Sequence, residues 1–482
     1  MRLFLITWIG KEFGLAEVVK ALKQKHEIVY WVGAHSREKI SSQDFSGTIF
    51  HSHDDALKAI PAKEVGNFLF DPPSAELLEK LLGTESETLT MMSKTFENMS
   101  VNERKHLYYD YVRYWDGVVK KLKPDAIIFP NVPHSVYDFV IYGLAKFYGI
   151  KTIIFELTRV NDRCLVISDF AVGSSFLKTE LKKNENKHFS VEDLPSDIHA
   201  YYDAQISFKA NIRPQDIVEL SEKYSGLKAL KVKARSFWTT VTVLKDLSVF
   251  TKIITYLPRK FRSNQKTEYL SLAKPADLSK KFVYVPLQYQ PECTTSPLGG
   301  VFVDQLLMIE ILSAALPAGW LIYVKEHPLQ WKPRGLDYFS YRYRGYYKAI
   351  ADLPNTQIIP LETDSLTLID KSQCVASVNG TAGWEALLRN KPSLAFGYAW
   401  YRDCPGVFKI NDVRSCSIAL EVIKAGLFVD SQQIISYLYS FGKISINGFR
   451  EQYCKDVSPI DVTENIKNHI NAINLALEKN EL

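Results

Sequence analysis

Strand-like and helix-like segments alternate along the chain, and this alternation occurs twice. In the first half, the apolar runs RLFLIT, EIVYWVG, AIIFPN and KTIIFEL are separated by segments with helical spacing such as FGLAEVVKALKQK. In the second half, KFVYVPLQ, WLIYVKE, TQIIPLE, CVASVN and PSLAFG repeat the pattern. Such alternation builds parallel sheets covered by helices, with right-handed crossovers. The sequence therefore predicts an α/β fold with two Rossmann-like domains facing each other across a cleft.

The length of 482 residues is too great for one ordinary core, which agrees with two domains. We predict an N-terminal Rossmann-like domain over 1–210 with a helical insertion at about 60–120, and a second Rossmann-like domain over 276–430. A basic helical connector is expected at 211–275 between them. The residues 431–482 are expected to form helices that pack back on the core.

Positive charge is concentrated in residues 223–262, although the net charge of the whole chain is only +5. This segment has ten Lys or Arg and a single acidic residue, and it also carries Phe237, Trp238, Phe250 and Tyr256. Basic residues interleaved with aromatics suit an anionic membrane surface better than nucleic acid. We therefore predict a solvated connector or a membrane-facing one, and no nucleic-acid partner.

Cysteine usage and the N-terminal residues both favour a cytoplasmic protein. The six cysteines are scattered without CxxC spacing, which argues against a disulfide framework or a structural zinc site. The opening MRLFLITWIGKEFG lacks the long apolar region of a signal peptide, and no later run reaches the length of a membrane span.

His51 and His53 have metal-like spacing without a partner cluster, so we place them in a surface loop and predict no metal site. The ETD at 362–364 is expected to cap a helix.

Three polar clusters follow strands of the second domain, where ligands bind in open α/β sheets. They are LQYQPECTTSPLGG, KEHP and SVNGTAGWEALLRNKP. In the last cluster, Gly380 would let the backbone approach a ligand, and the N–H groups of the helix start would favour a phosphate. Thr381 would cap this helix, and the Glu385 carboxylate would accept the hydroxyls of a ribose. The same residues are also compatible with an ordinary capped helix and a solvent-facing glutamate.

The segments VKEHP and NGTAGWEALLRNKPSLAFGYAWY resemble the C-terminal domain of bacterial capsule polysaccharide biosynthesis proteins. This family includes the β-Kdo transferases of capsule and lipopolysaccharide assembly. The resemblance is clearest over about 280–405, and PDAIIFPNVPH and YGLAKFYGIKTIIFEL look like the acceptor-side domain. It implies the GT-B glycosyltransferase fold, a nucleotide-sugar donor and a glycan or glycolipid acceptor, at or near the inner membrane. CMP-Kdo is the favoured donor, and neither a metal nor another cofactor is implied.

The resemblance also implies roles for single residues of the second domain. His327 and Pro328 match an HP dipeptide that contacts the CMP part of the donor in Kdo and sialic acid transferases of this fold. Lys325 would add positive charge near the leaving nucleotide, while Glu326 is expected to point to the other face of the sheet. Three further positions match the phosphate and ribose helix: Gly380, Thr381 and Glu385.

The donor sugar would be met by residues of two further segments. Gln290 and Glu292 could face the sugar ring, or they could belong to a turn fixed by Pro291. Tyr398 and Tyr401 in GYAWY could form a wall beside the base or the sugar, or they could be core residues.

A glycosyl transfer also needs a general base or a carboxylate nucleophile. The candidates are Glu12, His134 and Glu156 at predicted strand ends of the first domain, and Glu292 on the donor side. The sequence leaves open which of them acts, and whether the linkage is inverted or retained. Two alternatives to a transferase also stay open, namely a UDP-sugar 2-epimerase of similar fold and a non-catalytic export or scaffold protein.

Overall fold

The structure, a computed structural model, describes residues 1–9, 13–33, 45–66, 70–96, 99–161, 163–207, 265–290, 295–331, 342–450 and 458–479, and the single residues 234, 238, 293 and 455. The chain divides into two compact units, which are described separately. Unit 1 comprises Met1–Tyr201, Ser296–Leu298 and Ile435–Leu482. Unit 2 comprises Tyr202–Thr295 and Gly299–Ile434.

Each unit contains a six-stranded sheet. The strands of unit 1 are β1 (Arg2–Leu5), β2 (Glu27–Val32), β3 (Ile49–His51), β4 (Ala126–Phe129), β5 (Lys151–Leu157) and β6 (Cys164–Ile167). Those of unit 2 are β7 (Phe282–Pro286), β8 (Leu321–Lys325), β9 (Thr356–Ile358), β10 (Cys374–Ser377), β11 (Ser393–Ala395) and β12 (Val407–Lys409). The strand orders are β3-β2-β1-β4-β5-β6 and β12-β11-β10-β7-β8-β9. All pairs are parallel except β5 with β6, so both sheets have the doubly wound arrangement of a Rossmann-like domain.

Helices connect and cover these strands. Up to residue 206 they are α1 (Leu15–Lys23), α2 (His53–Leu57), α3 (Ala75–Lys80), α4 (Leu82–Thr95), α5 (Val101–Leu122), α6 (Tyr137–Tyr148), α7 (Ser175–Asn184) and α8 (Ser196–Ile206). After it they are α9 (Gln265–Leu272), α10 (Gln305–Ala315), α11 (Tyr346–Ala351), α12 (Ser365–Lys371), α13 (Thr381–Leu387), α14 (Val413–Lys424), α15 (Ser431–Ile444) and α16 (Val462–Glu478). The α/β class and the two Rossmann-like domains predicted from the alternation are thus confirmed.

The core of unit 1 is completed by residues from the far end of the sequence. Helix α16 packs on α1 so closely that a Cβ atom at Gly14 would lie 2.4 Å from Ile466 Cγ1. The Asn465 amide donates to the Phe13 carbonyl (2.9 Å) and accepts from the Phe449 N–H (2.8 Å). Of the segment 431–482, which was expected to pack back on the core, residues 435–482 are part of unit 1 and residues 431–434 are part of unit 2.

Further predictions concerned the segment between β3 and β4, the start of α12 and the end of β3. The predicted insertion at about 60–120 contains α3, α4 and most of α5, between β3 and β4. Asp364 caps α12 by accepting from the Thr367 N–H (2.8 Å), as the ETD segment predicted. The surface loop predicted for His51 is wrong, because this side chain is buried at the end of β3 and bonded to the Tyr30 hydroxyl (2.8 Å).

The basic segment 223–262 lies outside the described residues, apart from residues 234 and 238. Its predicted contact with a membrane therefore stays a prediction. Among the helices of the described residues, none is both long and apolar enough to cross a bilayer.

A carboxyl group in α4 makes the stability of unit 1 depend on pH. Burial raises the pKa of Glu87 from 4.5 to about 7, and the hydrogen bond from the Ser296 hydroxyl (2.8 Å) opposes this shift. The folded state thus holds the proton more tightly than the unfolded chain, so stability is lost as the pH rises from 4.5 to 7. We expect Glu87→Gln to raise the free energy of unfolding at pH 8 by about 1–3 kcal/mol. The same substitution should have little effect at pH 4, and equal effects at both pH values in urea titrations would contradict this explanation.

Candidate functional site

Each sheet has one point where the strand order reverses. In unit 2, the chain builds outward from β7 through β8 to β9 on one side, and then through β10 to β12 on the other. In unit 1, the corresponding point lies between β1 and β4. Ligands of doubly wound proteins bind beyond the carboxyl ends of the strands at this position. The loops after β7 and β10 therefore define the candidate site of unit 2.

The loops after β7 and β10 meet through Gln288 and Gly380. A Cβ atom at Gly380 would lie 2.2 Å from Gln288 Nε2, so any other residue here would displace this amide. The sequence predicted that Gly380 admits a ligand, but in the structure the space beside its α-carbon holds Gln288. The glycine thus allows Gln288 to pack directly against the turn before α13.

The Tyr401 side chain supports the turn before α13. The hydroxyl of this fully buried tyrosine donates to the Gly380 carbonyl (2.7 Å), and it lies where a Cβ atom at Gly383 would be (2.2 Å). Tyr401 therefore supports the turn, in contrast to the predicted wall beside the donor sugar. The predicted cap at Thr381 is wrong, because Gly380 is the N-cap, Thr381 is the first helical residue, and no side chain bonds to the cap.

Asn379, which precedes Gly380 in this turn, was not predicted as a site residue. The residue is 8% exposed, and neither its Nδ2 nor its Oδ1 has a hydrogen-bond partner among the residues that the structure describes. Leaving a buried amide unpaired costs on the order of 1–3 kcal/mol per polar group. Its place in the loop at the switch point makes Asn379 a candidate contact for a ligand. This role of Asn379 was not predictable from the sequence, because only its burial without a partner distinguishes it from other asparagines.

Glu385 presents a carboxylate one turn into α13. The residue is half-buried, and among the described residues none donates a hydrogen bond to this carboxylate. Burial raises the pKa of Glu385, and the nearby Arg389 opposes the shift. The guanidinium of Arg389 is engaged elsewhere, at the Glu385 main-chain carbonyl (3.1 Å) and near Asp370 (3.6 Å). The carboxylate is therefore able to accept hydrogen bonds from a ligand.

Lys325 ends β8 with its ammonium group directed into the protein. The side chain is buried, and Nζ donates to the Thr363 carbonyl and to the Ser365 hydroxyl (2.9 Å). These bonds join β8 to the loop before α12. The structure thus gives Lys325 a structural role here, in contrast to the expected contact with a phosphate.

Glu326 is fully buried in an ion pair with Arg342. Arg342 Nε donates to Glu326 Oε2 (2.7 Å) and Nη2 donates to Oε1 (3.0 Å). The Tyr347 hydroxyl and the His327 N–H also donate to this carboxylate, at 2.5 Å and 2.6 Å. A buried charge is tolerated when it is paired and fully hydrogen-bonded, and this arrangement explains why Glu326 precedes the HP dipeptide.

Arg342 also binds the loop after β7. Its Nη1 donates to Gln290 Oε1, and its Nη2 donates to the Gln288 carbonyl (3.0 Å). Gln330 completes the connection, since it exchanges two hydrogen bonds of 3.1 Å with the Gln290 backbone. The amide of Gln290 donates to the Val303 carbonyl (2.6 Å), so both ends of this side chain are bonded within the protein. Gln290, predicted to face the sugar, instead fixes the loop.

His327 has a defined tautomer as a result of this network. The Leu329 N–H donates to His327 Nδ1 (3.2 Å), so this nitrogen accepts and the neutral ring carries its proton on Nε2. The Gln330 N–H donates to the His327 carbonyl (2.9 Å) and closes a turn that includes the exposed Pro328. A half-buried imidazole with a proton on Nε2 can donate to a phosphate oxygen, which suits the role predicted for the HP dipeptide.

The remaining predicted site residues are placed as follows. Tyr398 is partly exposed and lies against Gly300, where a Cβ atom would be 3.3 Å from its ring. His134 lies just beyond β4, at the switch point of unit 1. Glu12 and Glu292 are outside the described residues. Within the described part of the chain, no group of three or more His, Cys, Asp or Glu side chains is arranged to hold a metal ion.

Fold and site together define an α/β protein with two Rossmann-like units and polar loops at the switch point of unit 2. Residues 251–428 match the family described as "Capsule polysaccharide biosynthesis protein". This match spans most of unit 2 and confirms the resemblance predicted from the sequence.

Solved structures similar to this chain have low sequence identity to it. The β-Kdo 2,7 transferase KpsC of Thermosulfurimonas dismutans is 12% identical, with 79% of this chain and 94% of that chain covered and a TM-score of 0.35. The UDP-GlcNAc 2-epimerase of Methanocaldococcus jannaschii is 13% identical, with 92% and 99% covered and a TM-score of 0.23. No curated protein matches the sequence.

Proposed function

We propose that this protein is a glycosyltransferase of the GT-B class that moves a sugar from a nucleotide donor to a bacterial surface polysaccharide or glycolipid. The observation that carries the proposal is the polar region at the switch point of unit 2. There, among the described residues, the Asn379 amide has no hydrogen-bond partner and the Glu385 carboxylate has no donor. His327 follows β8, the strand next to β7, and carries its proton on Nε2. The match of residues 251–428 to capsule polysaccharide biosynthesis proteins supports this assignment.

In this proposal each residue of the polar region has one task. His327 donates from Nε2 to the phosphate of the nucleotide, and stabilises the charge that this phosphate gains when its bond to the sugar breaks. Glu385 accepts the ribose hydroxyls, and Asn379 pairs with a group of the donor that both donates and accepts. Gln288 and the Glu326–Arg342 pair hold the loops in place. Tyr398 is retained as a contact of the donor.

Kdo from CMP-Kdo is the donor that we favour, because the HP dipeptide matches that of Kdo transferases. Neutralisation of the leaving phosphate by protein donors would make the reaction independent of a metal. The candidate base or nucleophile remains open among Glu12, His134 and Glu156 of the first domain and Glu292 on the donor side. We further propose a cytoplasmic enzyme that contacts the anionic inner membrane through residues 223–262.

A panel of CMP, UDP, GDP and CDP tests the proposal on the full chain. Thermal unfolding should shift upward with CMP, since a ligand at a hundred times its Kd stabilises a protein by about 2.7 kcal/mol. A shift with UDP alone would favour the 2-epimerase alternative, and incubation with UDP-GlcNAc and no acceptor would reveal an epimerised product. No shift with any nucleotide would reject the transferase and leave the non-catalytic alternative. Transfer that is lost in EDTA and restored by Mg²⁺ would contradict metal independence.

A further inference from the structure

The connection between β4 and α6 contains a strained turn. Val136 has φ 70° and ψ −78°, and the Tyr137 N–H donates to the Ser135 carbonyl (2.9 Å). This is a three-residue γ-turn of the rare positive-φ type. Val136 is β-branched and buried, and such a residue in this conformation costs on the order of 1–3 kcal/mol. Strain of this kind persists only where the surrounding structure holds it, and it indicates a functional constraint.

The group that holds this turn is Asp138. Its carboxylate is buried and accepts two backbone hydrogen bonds, from the Ser135 N–H to Oδ1 (2.7 Å) and from the His134 N–H to Oδ2 (3.2 Å). Burial raises the pKa of Asp138, whereas the neighbouring His134 and these two N–H donors oppose the shift. Asp138 thus fixes the backbone of both residues that precede Val136.

The same loop fixes the tautomer of His134. Its Nδ1 lies 2.6 Å from the Val132 carbonyl oxygen. A carbonyl can only accept, so Nδ1 carries the proton and the lone pair of the neutral ring is on Nε2. The half-buried ring is therefore prepared to take up a proton at Nε2.

This loop lies at the switch point of unit 1. The carboxyl ends of β1 and β4 flank the switch point of unit 1, and His134 follows β4 by five residues. This is the region where a doubly wound sheet binds its ligand. It contains the strained turn at Val136, the buried Asp138 carboxylate and His134 with its defined tautomer.

We propose that Asp138 and the γ-turn at Val136 are positioning residues that fix His134 as the general base for a hydroxyl group of the acceptor glycan. This inference rests on the proposed transferase function. The acceptor O–H proton passes to His134 Nε2 while the acceptor oxygen forms a bond to the anomeric carbon. The bond from that carbon to the phosphate oxygen breaks, and its electron pair leaves with the nucleotide.

Two matched substitutions test this inference on the full chain. Asp138→Asn removes the charge that holds the loop, and Asp116→Asn removes a similarly buried carboxylate, bonded to Lys120 and Tyr148, from α5. We expect Asp138→Asn to lower kcat for transfer at least about tenfold with the donor KM and nucleotide Kd unchanged. Asp116→Asn should change the unfolding temperature without changing kcat. Equal kcat values for the two variants would overturn the inference.

The tautomer of His134 is a second readout that does not require activity. ¹⁵N-labelled histidine spectra, assigned by the signal missing in His134→Gln, should show the proton on Nδ1 in the unsubstituted protein. A proton on Nε2 would overturn the inference, even if Asp138→Asn failed to fold. A protein that shows the expected tautomer but binds no nucleotide would reject the proposed function. Transfer that is insensitive to Asp138→Asn would reject the positioning role alone.

Discussion

Replacing Arg342 by Met should lower the stability of unit 2 by about 3–5 kcal/mol, because Glu326 would be left as a buried carboxylate without its counter-ion. The side chains of both residues are almost completely inaccessible, at 1% for Arg342 and 0% for Glu326. For a unit of this size the loss corresponds to a fall of about 6–20 °C in the unfolding temperature. Nucleotide affinity should fall as well, since Arg342 holds the loop after β7 through Gln288 and Gln290.

A surface ion pair of the same unit supplies the control. Lys348 and Asp352 are 2.6 Å apart, but their side chains are 68% and 62% exposed. Lys348→Ala should therefore change stability by no more than about 0.5 kcal/mol. If Arg342→Met were as mild as this control in thermal unfolding, the buried pair would not be the element that holds the polar loops. The double variant with Glu326→Gln should recover part of the loss, because the uncompensated charge is then absent.

Glu385→Gln should weaken nucleotide binding at least tenfold, because a charged acceptor of ribose hydrogen bonds is worth about 1.5–3 kcal/mol. The free energy of unfolding at pH 8, in contrast, should stay the same or increase. Burial raises the pKa of Glu385 above that of the unfolded chain, so the native carboxyl loses stability as the pH rises through its folded pKa. The variant should unfold at an equal or higher temperature at pH 8.

Calorimetric titration with the nucleotide identified by the panel gives the Kd of each variant. Glu421→Gln is the matched control, since Glu421 is 62% exposed beside Lys424 and lies in the same unit. It should change neither the Kd nor the unfolding temperature. A Glu385→Gln protein with reduced stability and unchanged nucleotide affinity would show that this glutamate serves the fold alone.

The fold was predictable because its signal is local. Parallel strands buried on both faces require continuous apolar runs, and AIIF in β4 or FVYV in β7 stand out between helical segments. The loops that carry function were also predictable in position, since each follows such a run. His327 and Glu385 were located by these rules together with the family resemblance.

The bonds that give these loops their shape were not predictable. Glu326 was expected to point to the other face of the sheet, but it pairs with Arg342, sixteen residues later. No periodicity or propensity connects these two positions, because their partnership exists only after the sheet has formed. Lys325 and Gln290 were assigned to the donor by their position at strand ends, and the structure gives them internal partners. Strand ends gather polar residues both for ligands and for holding loops, and sequence alone does not separate the two.

The return of residues 435–482 to unit 1 has a consequence for how the protein is made. Unit 2 is complete once Ile434 has been synthesised, whereas unit 1 still lacks α16 and the residues that bond to Cys164 and Phe13. Domains usually fold in the order in which they leave the ribosome. Here that order is reversed, since the unit that emerges first is completed last. The apolar surface of α1 stays exposed on the nascent chain until α16 (Val462–Glu478), which covers it, has been synthesised. Chaperones are therefore expected to bind the nascent chain through unit 1.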